Sequence, residues 1–173
     1  EDSLLVRATG TDDRSVRVAG TVWAAGLAPA WMEHQIPGFV AWNSVLRGGA
    51  RGAWDAAGVW APNVLHLAPD SLLLWYTGSD GAKSRIGLAT SHDGRTWTKS
   101  TANPVLDTGT VGAWDQRGVE HPNVSFDGAL FTLYYTGSGA AGTAIGTATS
   151  PDGIHWTRFA TNPVFAAGPP ATW

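Results

Sequence analysis

The chain repeats itself. Gly58-Val-Trp-Ala-Pro-Asn-Val64 returns as Gly118-Val-Glu-His-Pro-Asn-Val124. Gly52-Ala-Trp-Asp55 returns as Gly112-Ala-Trp-Asp115, and Trp75-Tyr-Thr-Gly78 as Tyr134-Tyr-Thr-Gly137. Ile86-Gly-Leu-Ala-Thr-Ser-His-Asp-Gly94 returns as Ile145-Gly-Thr-Ala-Thr-Ser-Pro-Asp-Gly153, Trp97-Thr98 as Trp156-Thr157, and Asn103-Pro-Val105 as Asn162-Pro-Val164. The offset is 60 as far as Val124 and 59 from Tyr134 onward, which places a one-residue deletion in the turn near Ala68–Ser71, opposite Asp127-Gly128. A period of this size means that each unit is one supersecondary element. It cannot bury its apolar surface alone and must stack on its neighbours.

Within a unit the pattern reads as four short strands. The first is expected over Val59–Leu67 and the second over Leu72–Thr77, joined by the turn Ala68-Pro-Asp-Ser71. The third is expected over Arg85–Ser91, and the fourth around Thr96–Lys99 after a turn at Asp93-Gly94. Along the third strand Ile86, Leu88 and Thr90 alternate with Gly87, Ala89 and Ser91, so its small face should admit a neighbouring sheet at close range. Four strands per unit in an all-β chain indicate a β-propeller of four-stranded antiparallel blades. The units fall at 47–106 and 107–165. Residues 1–46 are expected to be a divergent partial blade ending in Asn43-Ser-Val-Leu46, and 166–173 the start of a next blade. That makes about three blades in one propeller domain. Propellers close with four or more, so the remaining blades are expected from missing sequence or a second chain. Glu1 as the first residue also points to a removed native start.

Composition narrows the function classes. The 173 residues carry a net charge of −3 with only 14% charged residues and no basic run, which argues against a nucleic-acid partner. No apolar stretch reaches the roughly 18–20 residues that span a bilayer, so no membrane partner is expected. There are no cysteines, which excludes disulfides and thiolate metal sites. No cofactor motif is present. A calcium ion on the propeller axis suits the fold, but no residue indicates one. The 10 tryptophans fit blade packing, and any exposed indole would suit stacking on a sugar ring.

The candidate site lies where the two copies differ. Trp60-Ala61 of one becomes Glu120-His121 of the other. In a propeller the first strand lines the central channel, and its starting end opens on the funnel where ligands bind. Pro62 and Pro122, which give up a ladder donor, suit a strand start. A carboxylate in that funnel, partly desolvated, is suited to act as a general acid. Glu120 is therefore the candidate catalytic residue. Trp60, His121, Asn63 and Asn123 are the candidate substrate-binding residues. His121 can tune Glu120, bind a hydroxyl or hold an ion, although strand alternation would turn it toward the blade interface. Asn63 and Asn123 recur in both copies, which favours ladder or turn bonding. Asp55 and Asp115 are expected to accept backbone hydrogen bonds in loops between blades. Glu33-His34 echoes Glu120-His121 outside the repeat frame. Trp97 and Trp156 are expected to cover the blade edge.

These stretches look familiar. "VWAPNV", "LLLWYTG", "IGLATSHDGRTWTK" and "NPVL" resemble the five-bladed β-propeller glycoside hydrolases, closest to family 43 and related to families 32, 68 and 130. "SHDGRTW" and "SPDGIHW" are similar to the Asp-box turn of sialidases with one residue fewer. The resemblance covers residues 43–173 and implies a complete five-bladed ring. In family 43 a "WAP" stretch opens the second blade and an E-x-P stretch carries the proton donor. Trp60-Ala61-Pro62 and Glu120-His121-Pro122 are similar to these, so the resemblance nominates Glu120. It also implies hydrolysis of an arabinan- or xylan-type glycan by two carboxylates, and an extracellular or periplasmic location. The matching general base is not identifiable; Asp12 and Asp13 lie in a loop-like "GTDDRS". Two alternatives stand beside the glycosidase: a non-catalytic carbohydrate-binding propeller, and a structural or adhesive one.

Overall fold

The computed structural model describes Val6–Ala8, Val16–Val18, residues 44–166 and Gly168. The chain divides into two compact units, Glu1–Val45 and Leu46–Trp173. In the first, β1 (Val6–Ala8) and β2 (Val16–Val18) pair antiparallel, with Val6 opposite Val18. Otherwise the expected partial blade over 1–46, with Asp12, Asp13 and Glu33-His34, lies outside the described residues, as does most of 166–173.

The second unit contains two antiparallel meanders. β3 (Gly58–Ala68), β4 (Ser71–Ser79), β5 (Ser84–Ser91) and β6 (Thr98–Lys99) form one. β7 (Gly118–Phe126), β8 (Phe131–Gly139), β9 (Gly142–Ser150) and β10 (Thr157–Arg158) form the other. They touch edge to edge through a single parallel bridge, Ser84 to Gly118. This is the blade architecture of an all-β propeller. β11 (Phe165–Ala166) pairs with β9, as Leu106 bridges Ile86 one repeat earlier. Between β6 and that bridge the ladder is completed by an asparagine. Asn103 Oδ1 accepts the N–H of Leu88 at 2.7 Å, and its Nδ2 donates to Leu88 O at 2.9 Å. Asn162 does the same with Thr147 at 3.0 and 2.8 Å. The repeated Asn-Pro-Val thus caps the outer edge of the third strand, and each Asn-Pro bond is cis.

The main core lies between the blades. Trp75, Ile86, Leu88 and Leu106 of the first meet Val119, Val124, Phe131 and Leu133 of the second, all buried. Trp75 packs tilted on Phe131 at 5.6 Å and edge-on to Trp156 at 6.3 Å. Its indole N–H donates to the carbonyl of Gly153 at 3.0 Å, across the interface. Trp156 donates to the same carbonyl at 3.1 Å. So Trp156 joins the interblade core rather than only covering an edge.

The small face of the third strand also differs from expectation. It receives an indole from its own blade, not a neighbouring sheet. A Cβ on Gly87 would lie 2.8 Å from Trp54 Cη2, and one on Gly146 2.6 Å from Trp114 Cζ2. The aspartate after each of these tryptophans is buried. Asp55 accepts from Gly49 N at 3.0 Å, as a loop aspartate should, but also from the Tyr76 hydroxyl at 3.2 Å and from the Lys99 ammonium. Asp115 accepts from the Tyr135 hydroxyl at 3.2 Å and Arg158 Nε at 3.0 Å. A cation from the fourth strand therefore neutralises each carboxylate, because an unpaired buried charge is prohibitively costly. Burial pushes the Tyr135 hydroxyl up to about 12, with Arg158 opposing the shift and Asp115 reinforcing it.

Two predictions follow from this packing. Gly153 has φ of +74°, and a Cβ there would lie 2.8 Å from Trp75 Cζ2. Gly153→Ala should cost about 2–4 kcal/mol in urea denaturation, from left-handed strain plus overpacking. Gly112→Ala, at φ of +91° but facing open space, should cost only about 1–2 kcal/mol. Equal costs would remove the packing contribution. The second concerns pH. The folded state holds the Tyr135 proton more tightly than the unfolded chain, whose tyrosine titrates near 10.0. The unfolded state therefore loses its proton first, and stability should fall as pH rises from 10.0 to about 12. Tyr135→Phe should flatten that fall, read as the midpoint of denaturation against pH; an unchanged slope would refute it.

Candidate functional site

Glu120 and His121 stand near the start of β7, three positions in from Gly118 at most. The local backbone is not regular strand. Glu120 pairs with Thr136 and Asn123 with Tyr134, so two residues, His121 and Pro122, bulge out opposite Tyr135. The same bulge separates Trp60 from Asn63 in β3. The residue before each proline lies in the left-handed region, Ala61 at φ of 49° and His121 at 53°. Proline therefore sits at a bulge inside the strand rather than at its start, where its missing donor disrupts no ladder bond.

This bulge redirects the side chains. Alternation alone would send His121 to the face opposite Glu120. Instead His121 is exposed, and its Nδ1 lies 3.7 Å from Glu120 Oε2. Only its backbone engages the interface: the His121 N–H donates to Thr77 Oγ1 of the preceding blade at 2.9 Å. Thr77 is fully buried. The Glu120 side chain is partly buried. At 3.7 Å the imidazole and the carboxylate are within ion-pair range without being hydrogen-bonded.

The other candidates separate. Trp60 occupies on β3 the register position that Glu120 holds on β7, and its indole is partly exposed. Asn63 is structural, since its Oδ1 accepts the N–H of Val124 across the interface at 2.9 Å. Asn123, its counterpart, is exposed. The turn aspartates serve their own loops: Asp93 Oδ1 accepts from the N–H groups of Arg95 and Thr96 at 2.8 and 2.7 Å, and Asp152 repeats this with Ile154 and His155. Those bonds hold both carboxyls well below the usual carboxylate range. Among the described residues no group of three or more His, Asp or Glu gathers as metal ligands, and no helix is long and apolar enough to cross a membrane. Thr77 escaped the sequence reading, although its recurrence as Thr136 in the Tyr-Thr-Gly motif was the available signal.

No protein-family model matches the chain. An uncharacterized protein of Mycobacterium tuberculosis is 32% identical over 129 residues, covering 66% of this chain. The chain spans 41% of the length of that relative. Among solved structures, a family 117 glycoside hydrolase from Zobellia galactanivorans superposes with a TM-score of 0.60 at 20% identity, over 70% of this chain and 38% of its own. A glycoside hydrolase family 130 structure, from a family of mannoside phosphorylases containing hydrolases that target β-1,2-mannosidic linkages in Candida mannan, gives 0.59 at 22% identity, over 69% and 39%. A glycosyl hydrolase from Bacteroides ovatus gives 0.53 at 23%, over 61% and 32%. The fold is thus the one used by propeller glycoside hydrolases.

The Thr77 bond makes the bulge testable. Thr77→Val keeps the shape but takes the acceptor from the partly buried His121 N–H, which should cost about 0.5–1.5 kcal/mol. Thr77→Ser should recover most of that. A valine variant as stable as the parent in thermal or urea melts would show that the bond contributes nothing.

Proposed function

We propose that the protein to which this chain belongs hydrolyses a glycosidic bond, with Glu120 as the proton donor. The observation that supports this most is the contrast within a shared frame. Two inner strands carry the same bulge, and only one presents a carboxylate and an imidazole 3.7 Å apart at its exposed edge. The fold shared with glycoside hydrolases adds to the case.

In this reading the Glu120 carboxyl gives its proton to the departing glycosidic oxygen as the bond from that oxygen to the anomeric carbon breaks. A second carboxylate takes a proton from water, and the resulting hydroxide bonds to the anomeric carbon on the opposite face. An inverting arrangement would hold the two carboxyls about 6.5–9.5 Å apart. The second carboxylate is supplied from outside the described residues, in the further blades of a complete ring of five. Trp60 offers an indole face for a sugar ring, and His121 a donor for a hydroxyl. The preferred substrates are arabinan- or xylan-type chains, met outside the cell or in the periplasm; β-1,2-mannosides are the competing class, named for one neighbour of the same fold.

The test uses the full-length protein and its Glu120→Gln variant on arabino-, xylo-, fructo- and manno-oligosaccharides. Loss of the proton donor should lower kcat about 10²–10⁴-fold. Aryl glycosides with acidic leaving groups, which depart without protonation, should be far less affected. Unchanged turnover in the variant would remove Glu120 from the mechanism. Binding without turnover in the parent protein would favour a lectin-like propeller.

A further inference from the structure

A glycine inside a strand weakens it and often marks a place where another group approaches the backbone closely. Gly58 and Gly118 hold the same place in β3 and β7, and neither has the left-handed φ that would itself call for glycine. The space above them differs. A Cβ on Gly58 would meet nothing nearer than Trp60 Cζ3 at 3.9 Å. A Cβ on Gly118 would lie 3.0 Å from Ser138 Oγ, 3.5 Å from Glu120 Oε1 and 3.6 Å from Ser84 Cβ. Three strands thus close on one bare Cα. Ser138 of β8 pairs with Gly118, Ser84 of β5 bridges to it, and Glu120 follows it in β7.

Residues two apart in a strand share a face and stand roughly 6.5 Å from each other. A glutamate side chain can fold back over that distance if the position behind it is bare. Glu120 does so, with Oε1 over Gly118 and Oε2 3.7 Å from His121 Nδ1. Ser138 forms the neighbouring wall, and it differs from its counterpart in the first blade. There Ser79 Oγ is committed to its turn, donating to Lys83 O at 2.9 Å and accepting the Gly81 N–H at 3.0 Å. In β8 and β9 the ladder runs on to Gly139 opposite Gly142. Ser138 Oγ has no hydrogen bond among the described residues and stands beside the Gly118 Cα. A methyl group at position 118 would therefore displace the serine hydroxyl first. Valine adds two further methyl groups, enough to reach the carboxylate.

We propose that Gly118 is a positioning residue: its bare Cα seats the Glu120 carboxyl and so fixes where the proton is delivered. The proposal deepens the reading of Glu120 as proton donor and rests on it.

The test compares Gly118→Ala, Gly118→Val and Glu120→Gln in the full-length protein. The substrates are the oligosaccharide it turns over best and an aryl glycoside of the same sugar with an acidic leaving group. On the oligosaccharide alanine should lower kcat a few-fold and valine about 10²-fold, with KM nearly unchanged. The aryl glycoside, which departs without protonation, should lose far less. Equal loss on both substrates would mark a merely structural role and overturn the proposal. Parent-like kcat in Gly118→Val beside an impaired Glu120→Gln would overturn it while leaving Glu120 as the donor. Parent-like kcat in Glu120→Gln would remove the donor reading and the delivery role together. The seat itself is read from crystal structures of the parent and Gly118→Val, in which the carboxyl should have left its place near His121 Nδ1. A carboxyl in the parent's position would overturn the proposal whatever the kinetics. Where valine prevents folding, the selective few-fold loss in Gly118→Ala decides, and its absence would overturn the proposal.

Discussion

The carbonyl of Gly153 accepts two indole N–H groups, one from Trp75 of the preceding blade and one from Trp156 of its own. A buried carbonyl has two lone pairs, and here both are used within the protein. The left-handed conformation of Gly153 belongs to the turn between β9 and β10, which sets where that carbonyl points. Trp75, entirely buried, is then fixed in place against Phe131 and Trp156. A four-stranded sheet with two apolar faces gains little alone, since burial must be mutual. The Trp75–Gly153 bond fixes the distance and angle at which that burial happens.

A second constraint works inside each blade. The buried aspartate after the Gly-Ala-Trp stretch anchors its loop from beneath, and so holds the neighbouring indole on the glycine-lined face of the sheet. The two copies solve the charge problem differently. Lys99 approaches Asp55 as a point charge and also lies 5.7 Å from the Tyr76 ring centre. Arg158 divides its fork between Asp115, the Tyr135 hydroxyl and the carbonyl of Asp107. The planar arginine fork presents its donors in several fixed directions, and through it the second blade ties the loop before it into the same network. The tyrosine is common to both because its hydroxyl spans the gap between carboxylate and sheet.

Much of the architecture was legible because it is local and repeated. The strands expected over Val59–Leu67, Leu72–Thr77 and Arg85–Ser91 are present and extend a residue or two further. Periodicity and turn residues carry that information within a few positions of each other. The site was legible only in part. The repeat picked out Glu120 and His121, but strand alternation misplaced the imidazole. The bulge that corrects it also aims the His121 N–H at Thr77, 44 residues away. Asn63 was read as a possible ligand contact as well as a structural residue, and its partner is 61 residues away. Spacing along one strand cannot report a bond made across a blade interface. The same holds for Trp54 and Trp114, whose seats on glycine are visible only once the sheet is assembled.

The cross-blade bonds also explain why chemistry can vary at the bulge without disturbing the fold. At His121 the interface takes only the backbone N–H, and at Val124 the N–H together with a buried methyl-bearing side chain. Nothing in these contacts depends on the side chains at 120 and 121, nor on those at 60 and 61. Tryptophan with alanine and glutamate with histidine therefore occupy one backbone geometry. The left-handed residue carries a cost of about 1–2 kcal/mol when it is not glycine, yet both copies bear it. A glycine at position 121 would relax that strain, and with it would go the imidazole that stands 3.7 Å from the carboxylate. Both copies retain that strain, so it belongs to the shared backbone of the bulge and not to the side chains exchanged there.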